Sequence, residues 1–362
     1  VLKRVLLVGF GCCLAIGLAE LGLRVFGYAG DAERERRVFD ARYGAVPRDS
    51  WIWNFQIDPR VHRAVDLRGQ WIPLTKPAGE TRVLFLGDSA TEGAFVAADE
   101  NFPALFRSSL ERRAGNRVRV INAGVWGMTS IDEYHLLEDK LLPLAPDVVV
   151  IGLFMANDIN TNLAHRERAP RASLALRNHS ALAHFIWLRA LAWSAQHKPP
   201  FGEQAGLVPV ELRLVDSYGL HMLSYPAGEL ATYLVPPSAL MEHAFDVLQR
   251  VLADFKALGQ RHGFVVRVLL IPSPSRVLGK LAILHYPNLL SELRATGVRI
   301  EPSQIDVDAP TRRVLASCSA LHMTCMDASS RLQRLGARAF FPHDEHPSAL
   351  GHRALAEELL SH

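Results

Sequence analysis

Four short blocks along the chain carry residue types that can do acyl-transfer chemistry. Gly87-Asp88-Ser89 follows the apolar run Val83-Leu84-Phe85-Leu86, the pattern of a buried strand that ends in a turn. A serine on that turn, where a helix starts and backbone N–H groups are unpaired, is either a helix cap or a nucleophile. Near the far end, Phe341-Pro-His343-Asp344-Glu345-His346-Pro347 precedes an Ala/Leu-rich stretch. The imidazole of His346 must lie on a loop ahead of that helix, because the Pro after it cannot continue a helix inward. Asp344, two residues earlier, is within reach to fix the His346 tautomer and to stabilise the protonated ring, as a Ser-His-Asp relay needs. His343, Asp344, His346 and His352 also suit a metal, but no equally dense partner cluster stands upstream,.

Two further blocks offer donors for an oxyanion. Asn157, in Phe154-Met155-Ala156-Asn157-Asp158, follows the apolar run Val148 to Leu153, so its side-chain amide can point at a developing negative charge. Read alone, it is as well explained as a turn residue. Gly127, in Asn122-Ala123-Gly124-Val125-Trp126-Gly127, ends another apolar run. It allows a close backbone approach that lends an N–H, or is simply a turn glycine. Asp88 and Asp158 read as braces beside the site and are given no chemistry.

The elements that must hold these blocks alternate. Strands are expected at Val83–Leu86, Val118–Ile121, Val148–Leu153 and Phe264–Ile271, with helices at Phe102–Arg113, Ser130–Leu142 and Met241–Leu258. Ser130 and Glu133 have capping-box spacing. Phe245, Leu248, Leu252 and Phe255 share one face of the third helix, and Gly259 follows it,. Strand and helix in alternation imply an α/β fold with a parallel sheet covered on both sides. Ligands of such sheets bind at the carboxyl ends of the strands, where Ser89 stands.

Taken together and in this order, the blocks resemble the SGNH, or GDSL-type, hydrolase family over residues 81–362. Gly87-Asp88-Ser89 matches its first block, Gly127 the second, Asn157-Asp158 the third and Asp344-x-His346-Pro347 the last. The resemblance implies a flavodoxin-like three-layer α/β/α sandwich, Ser89 as nucleophile, His346 as base and Asp344 as its orienting acid. It also implies an oxyanion hole made of the Ser89 N–H, the Gly127 N–H and the Asn157 side chain, with no cofactor and no metal. Two departures stand out: Met155 replaces a usual Gly and is expected to narrow the pocket, and the acid falls in an Asp-x-His variant, with His343 at the commoner acid position. An α/β-hydrolase nucleophile elbow is disfavoured, because Thr91 stands where Gly-x-Ser-x-Gly needs glycine,. The implied reaction is hydrolysis of O-acyl esters, acetylated glycans among them. A polysaccharide O-acyltransferase and a non-catalytic glycan-binding protein of the same fold are the competing readings.

The remaining sequence bears on place and partners. Lys3-Arg4 precedes an uncharged run from Val5 to Ala19, and the segment to Tyr28 is long enough to cross a membrane. Two readings compete over residues 1–30: a signal anchor with the bulk of the chain outside, and a signal peptide cleaved after Gly17-Leu18-Ala19. Glu20 and Arg24 are one turn apart and are expected to pair,. Residues 31–80, with Trp51, Trp53, Trp71 and several prolines, read as a linker that packs on the main domain. Residues 160–238 read as an insertion, with a helix over Leu174–Trp193 that either packs on the core or exposes Phe185, Trp187, Leu188 and Trp193 to something apolar. The formal charge of the 362 residues is only +3, with 40 Lys and Arg against 37 Asp and Glu and no basic, aromatic-interleaved run; a nucleic-acid partner is therefore not expected. Of the four cysteines, Cys318 and Cys325 either close a small disulfide loop or lie as two thiols in the helix and strand of Thr311–Met326,.

Overall fold

Alternating apolar residues put every strand of the main sheet between two layers. The computed structural model describes residues 2–26, 37–40, 44–47, 63–65, 71–114, 117–164, 176, 179–197, 231–279, 302–342 and 344–362. Two antiparallel hairpins come first: β1 (Arg37–Asp40) with β2 (Gly44–Pro47), and β3 (Arg63–Val65) with β4 (Trp71–Pro73). The main sheet comprises β5 (Thr81–Gly87), β6 (Val118–Asn122), β7 (Val148–Phe154), β8 (Val265–Ile271) and β9 (Thr324–Asp327). Its five strands are all parallel, in the order β6-β5-β7-β8-β9. This is the flavodoxin-like order, in which the chain direction across the sheet reverses between the first and third strands and opens a crevice at their carboxyl ends. Here that crevice lies between β5 and β7, the strands followed by Ser89 and Asn157.

The helices, in chain order, are α1 (Leu2–Val25), α2 (Ser89–Glu92), α3 (Phe102–Ala114), α4 (Ser130–Leu136), α5 (Asp158–Thr161), α6 (Ala181–His197), α7 (Ala239–His262), α8 (Pro274–Leu278), α9 (Ala309–Ala320), α10 (Ser329–Leu335) and α11 (Ala349–Leu360). Leu84 and Leu86 of β5 face one layer, packed with Leu136 of α4, Leu252 and Phe255 of α7 and Val314 of α9. Val83 and Phe85 face the other, with Phe102 of α3, Leu332 of α10 and Leu355 of α11. The period-2 alternation of β5 thus builds a three-layer α/β/α sandwich. Cutting Leu84 to Ala would cost about 2–5 kcal/mol at such a site.

Several expectations shift on contact with the structure. The capping box before α4 is made by Thr129 and Asp132, one residue earlier than Ser130 and Glu133: Asp132 N donates to Thr129 Oγ1 at 3.2 Å and Thr129 N donates to Asp132 Oδ2 at 3.2 Å. Both pairs fit the spacing. Thr129 is the residue that stays extended (φ −94, ψ 160), because Met128 before it is held in the core. Met155 is buried in the core, 2 % exposed. Cys318 and Cys325 form a disulfide that joins α9 to β9, with Cα atoms 6.2 Å apart.

The N-terminal helix α1 contains one stretch, Leu7–Val25, long and apolar enough to cross a membrane, with mean hydropathy 1.7 and none of it buried. The expected pair of Glu20 and Arg24 is present at 2.6 Å. Glu20 does more than pair: its carboxylate also accepts from Ser180 Oγ, Ala181 N and Leu182 N at 2.8–3.0 Å, and Arg24 Nη2 donates to the His179 carbonyl at 2.9 Å. The end of α1 is thereby fastened to the start of α6. On α6, Phe185 and Trp187 are half-buried and Ile186 is exposed. Trp51, Trp53, most of the 31–80 and 160–238 segments, the side chains of Leu188 and Trp193, and His343 lie outside the described residues.

Candidate active site

Ser89 sits where β5 ends and α2 begins, and glycines make that junction possible. Thr91 of α2 rests on the ends of β5 and β7, and a Cβ on Gly87 or on Gly152 would come within 2.1 Å of its Oγ1. Only a strand end without side chains lets the short helix settle so close. The Asp88 carboxylate caps α2, with Oδ1 accepting from Ala90 N at 2.9 Å,. Ser89 itself is 4 % exposed, and its N–H lies in the first turn, where backbone donors have no intrahelical acceptor,.

His346 reaches this hydroxyl from the opposite end of the chain. Its Nε2 lies 2.8 Å from Ser89 Oγ and its Nδ1 2.6 Å from Asp344 Oδ1. The Nδ1–H donated to the carboxylate leaves Nε2 as the acceptor facing the serine O–H. The same Asp344 oxygen accepts the His346 backbone N–H at 2.8 Å, so the carboxylate fixes both the ring and the loop. Phe341 N donates to the His346 carbonyl, Asp344 N to the Phe341 carbonyl, and Ser348 caps α11 directly after the loop. Beyond that cap, His352 of α11 is fully buried and stacks on Phe102 at 5.9 Å, its Nδ1 accepting from Phe102 N at 3.3 Å. Burial lowers its pKa to about 4,. His352 is therefore a neutral clip between α11 and α3. Asp344, Glu345 and His346 bring ligand atoms within 4.8 Å of one another, but both His346 nitrogens are already engaged by Asp344 and Ser89.

Asn157 stands at the start of α5 just beyond β7, makes no side-chain capping bond there and joins the group through Asp88. Its Nδ2 donates to Asp88 Oδ2 at 3.1 Å, which leaves the second hydrogen of that amide for another acceptor,. Gly127 stands in the turn after β6, exposed and with φ 75, a conformation that favours glycine. Its neighbour Trp126 carries the loop to the site: the Trp126 ring lies 5.5 Å from that of His346, and the Trp126 N–H donates to Glu92 Oε2 at 2.7 Å. Ser89, His346 and Asp344 are thus brought into direct contact, Asn157 is held one residue away, and Gly127 stands at the rim.

The electrostatics behind the site are unusual. Asp88, Glu133 and Asp158 are each about 1 % exposed. Burial pushes the carboxyl of Asp88 up, and pushes those of Glu133 and Asp158 well up; the nearby carboxylates add to the shift of Glu133 and Asp158,. Asp158 Oδ2 accepts Phe154 N at 2.7 Å and so braces the end of β7. Glu133 has neither oxygen hydrogen-bonded. Glu92, Phe95 and Trp126 are residues of this region that motif reading passes over. Trp126 stands inside a quoted block, but the contacts of Glu92 and Trp126 join separate loops and leave no spacing to detect.

No family model matches the chain, and no curated protein matches it. Among solved structures, TesA aligns at 15 % identity and TM-score 0.39 over 78 % of this chain and 97 % of that one. Axe2, an acetylxylan esterase from Geobacillus stearothermophilus, aligns at 15 % and 0.41 over 78 % and 93 %. The acetyl xylan esterase AlAXEase aligns at 13 % and 0.39 over 77 % and 98 %. Likenesses this distant assign neither substrate nor mechanism to the chain.

Proposed function

We propose that this protein is a serine-dependent ester hydrolase of SGNH type, held at a membrane by α1 with its sheet domain outside the cytoplasm, and acting on O-acyl esters. The observation that carries the reading is the unbroken line from Asp344 Oδ1 through both His346 nitrogens to Ser89 Oγ, with contacts of 2.6 and 2.8 Å. In the first half-reaction Ser89 Oγ attacks the ester carbonyl carbon while His346 Nε2 takes its proton. The Ser89 N–H, the Gly127 N–H and the Asn157 amide receive the charge that develops on the carbonyl oxygen. The bond to the alcohol oxygen then breaks, and His346 gives that oxygen the proton. Water attacks the acyl-serine with His346 again as base, releasing the acid and restoring Ser89. Asp344 stabilises the imidazolium at each stage.

Two observations support the location. The Cys318–Cys325 disulfide suits an oxidising compartment,. The hydrogen bonds from residues 179–182 to Glu20, and from Arg24 to His179, tie the end of α1 to the domain, which favours an anchor over a cleaved signal.

The test is hydrolysis of a panel of simple and sugar O-acetyl esters by the wild-type chain and by Ser89→Ala. Wild type should turn over at least part of the panel, with kcat lowered in the variant by about 10⁴-fold or more and the unfolding midpoint unchanged. Equal turnover by the two proteins would refute the reading. Including a free sugar as acceptor separates hydrolysis from transfer.

A further inference from the structure

His346 is bordered on its solvent side by aromatic rings that the reaction above does not use. Phe95 lies edge-on to the imidazole at 5.2 Å, and to Trp126 and Phe341 at 5.5 and 6.0 Å. Phe95 is 60 % exposed and Trp126 38 % exposed, whereas the chain buries most of its large apolar side chains. Phe95 also has φ 66, a left-handed conformation that a bulky residue rarely holds,. An exposed ring in a costly backbone geometry, touching the general base, is a poor use of a phenylalanine for stability alone.

The direction of the chemistry says what these rings meet. The proton on His346 Nε2 goes to the leaving alcohol, so the alcohol half of the ester must lie against the imidazole, and hence against Phe95 and Trp126. We propose that Phe95 and Trp126 form a platform for the alcohol half of the substrate, and that this half is a sugar ring. The proposal rests on the ester-hydrolase reading and gives that site its substrate class. A pyranose has a flat C–H face for an aromatic ring and hydroxyls at its edge for polar groups. Both kinds of surface are present. Through Gly93 and Val96 the Phe95 loop also borders a cavity of about 280 Å³, with Glu92, Asn101, Arg107 and Asn122 in its lining. Arg107 Nε is buried there without a hydrogen bond, 3.7 Å from the Glu111 carboxylate. A long alkyl alcohol would call instead for a closed apolar groove.

The test compares Phe95→Gly, which also relieves the backbone, and Trp126→Ala with wild type on three acetate esters: an O-acetylated methyl glucoside, octyl acetate and ethyl acetate. Stoichiometric labelling of Ser89 by a fluorophosphonate reports that each variant keeps its fold and its relay. The expected result is a fall of about tenfold, the scale of one ring contact, in the ratio of kcat/KM for the sugar ester to that for ethyl acetate, carried by KM. An unchanged ratio overturns the platform. A fall in the octyl acetate ratio in place of the sugar one overturns the sugar assignment. A wild-type chain that neither labels nor hydrolyses any of the three overturns the esterase reading itself, and the platform with it.

Discussion

The two ends of the central sheet both bury ionisable groups and treat them in opposite ways. At the amino end, Arg82 is fully buried, and its guanidinium donates to Glu80 Oε1, the Leu144 carbonyl and the Pro73 carbonyl at 2.6–2.7 Å. Arg119 reaches the second Glu80 oxygen at 3.1 Å, while Asp147 accepts the Arg82 N–H and pairs with Lys76. Burial alone would raise the Glu80 carboxyl, yet the hydrogen bond from Arg82 and the charge of Arg119 hold it below its usual value. At the carboxyl end, among the described residues, no Lys or Arg pairs with Asp88, Glu133 or Asp158, and the same burial drives their carboxyls up. A saturated network stabilises the fold; an unsaturated one is tolerated where a site has to be held ready for a substrate.

That contrast can be broken at either end. The largest effect is expected from Arg82→Met, which leaves buried Glu80 with Arg119 as its one ionic partner among the described residues. Unfolding in denaturant should show a loss of about 3–5 kcal/mol, with kcat of the folded enzyme within about twofold of wild type. Asn157→Ala reverses the pattern: turnover should fall about 10²–10³-fold, with little change in the midpoint of unfolding. A wild-type rate in that variant would remove Asn157 from the oxyanion hole. Glu133→Gln is expected to do least, and its sign depends on pH. The folded-state pKa of Glu133 lies above the ordinary 4.5, so the folded chain keeps a proton that the unfolded chain releases. Wild-type stability therefore declines as pH rises above that value, and the neutral variant lacks the decline. Its advantage over wild type should grow as pH rises above 4.5,, read from unfolding curves at each pH.

Much of this architecture was legible beforehand, and the reasons are physical. The four quoted apolar runs became β5 to β8 because a strand covered on both faces needs a near-continuous apolar sequence, with Arg119 and Arg267 the charged exceptions,. Ser89 and His346 could be singled out because Gly87 ends the apolar run just ahead of the serine and Pro347 restricts the backbone after the histidine,. Contacts set by packing were not legible. The shift of the capping box to Thr129 depends on Met128 being buried, and the hydrogen bonds of Glu20 depend on a helix 160 residues away in the chain. The Phe95 platform is likewise assembled from three separate loops. Thr91, in the sequence only a departure from a nucleophile elbow, is the side chain that seats α2 on Gly87 and Gly152.

The decisive measurement is intact-mass and peptide mapping of the full chain after exposure to a fluorophosphonate, run in parallel on His346→Ala. A single adduct on Ser89 in wild type, with labelling slowed by orders of magnitude in the variant, is the expected result. An adduct on another residue, or equal labelling of Ser89 without the imidazole, would mean that the hydroxyl is not activated through His346.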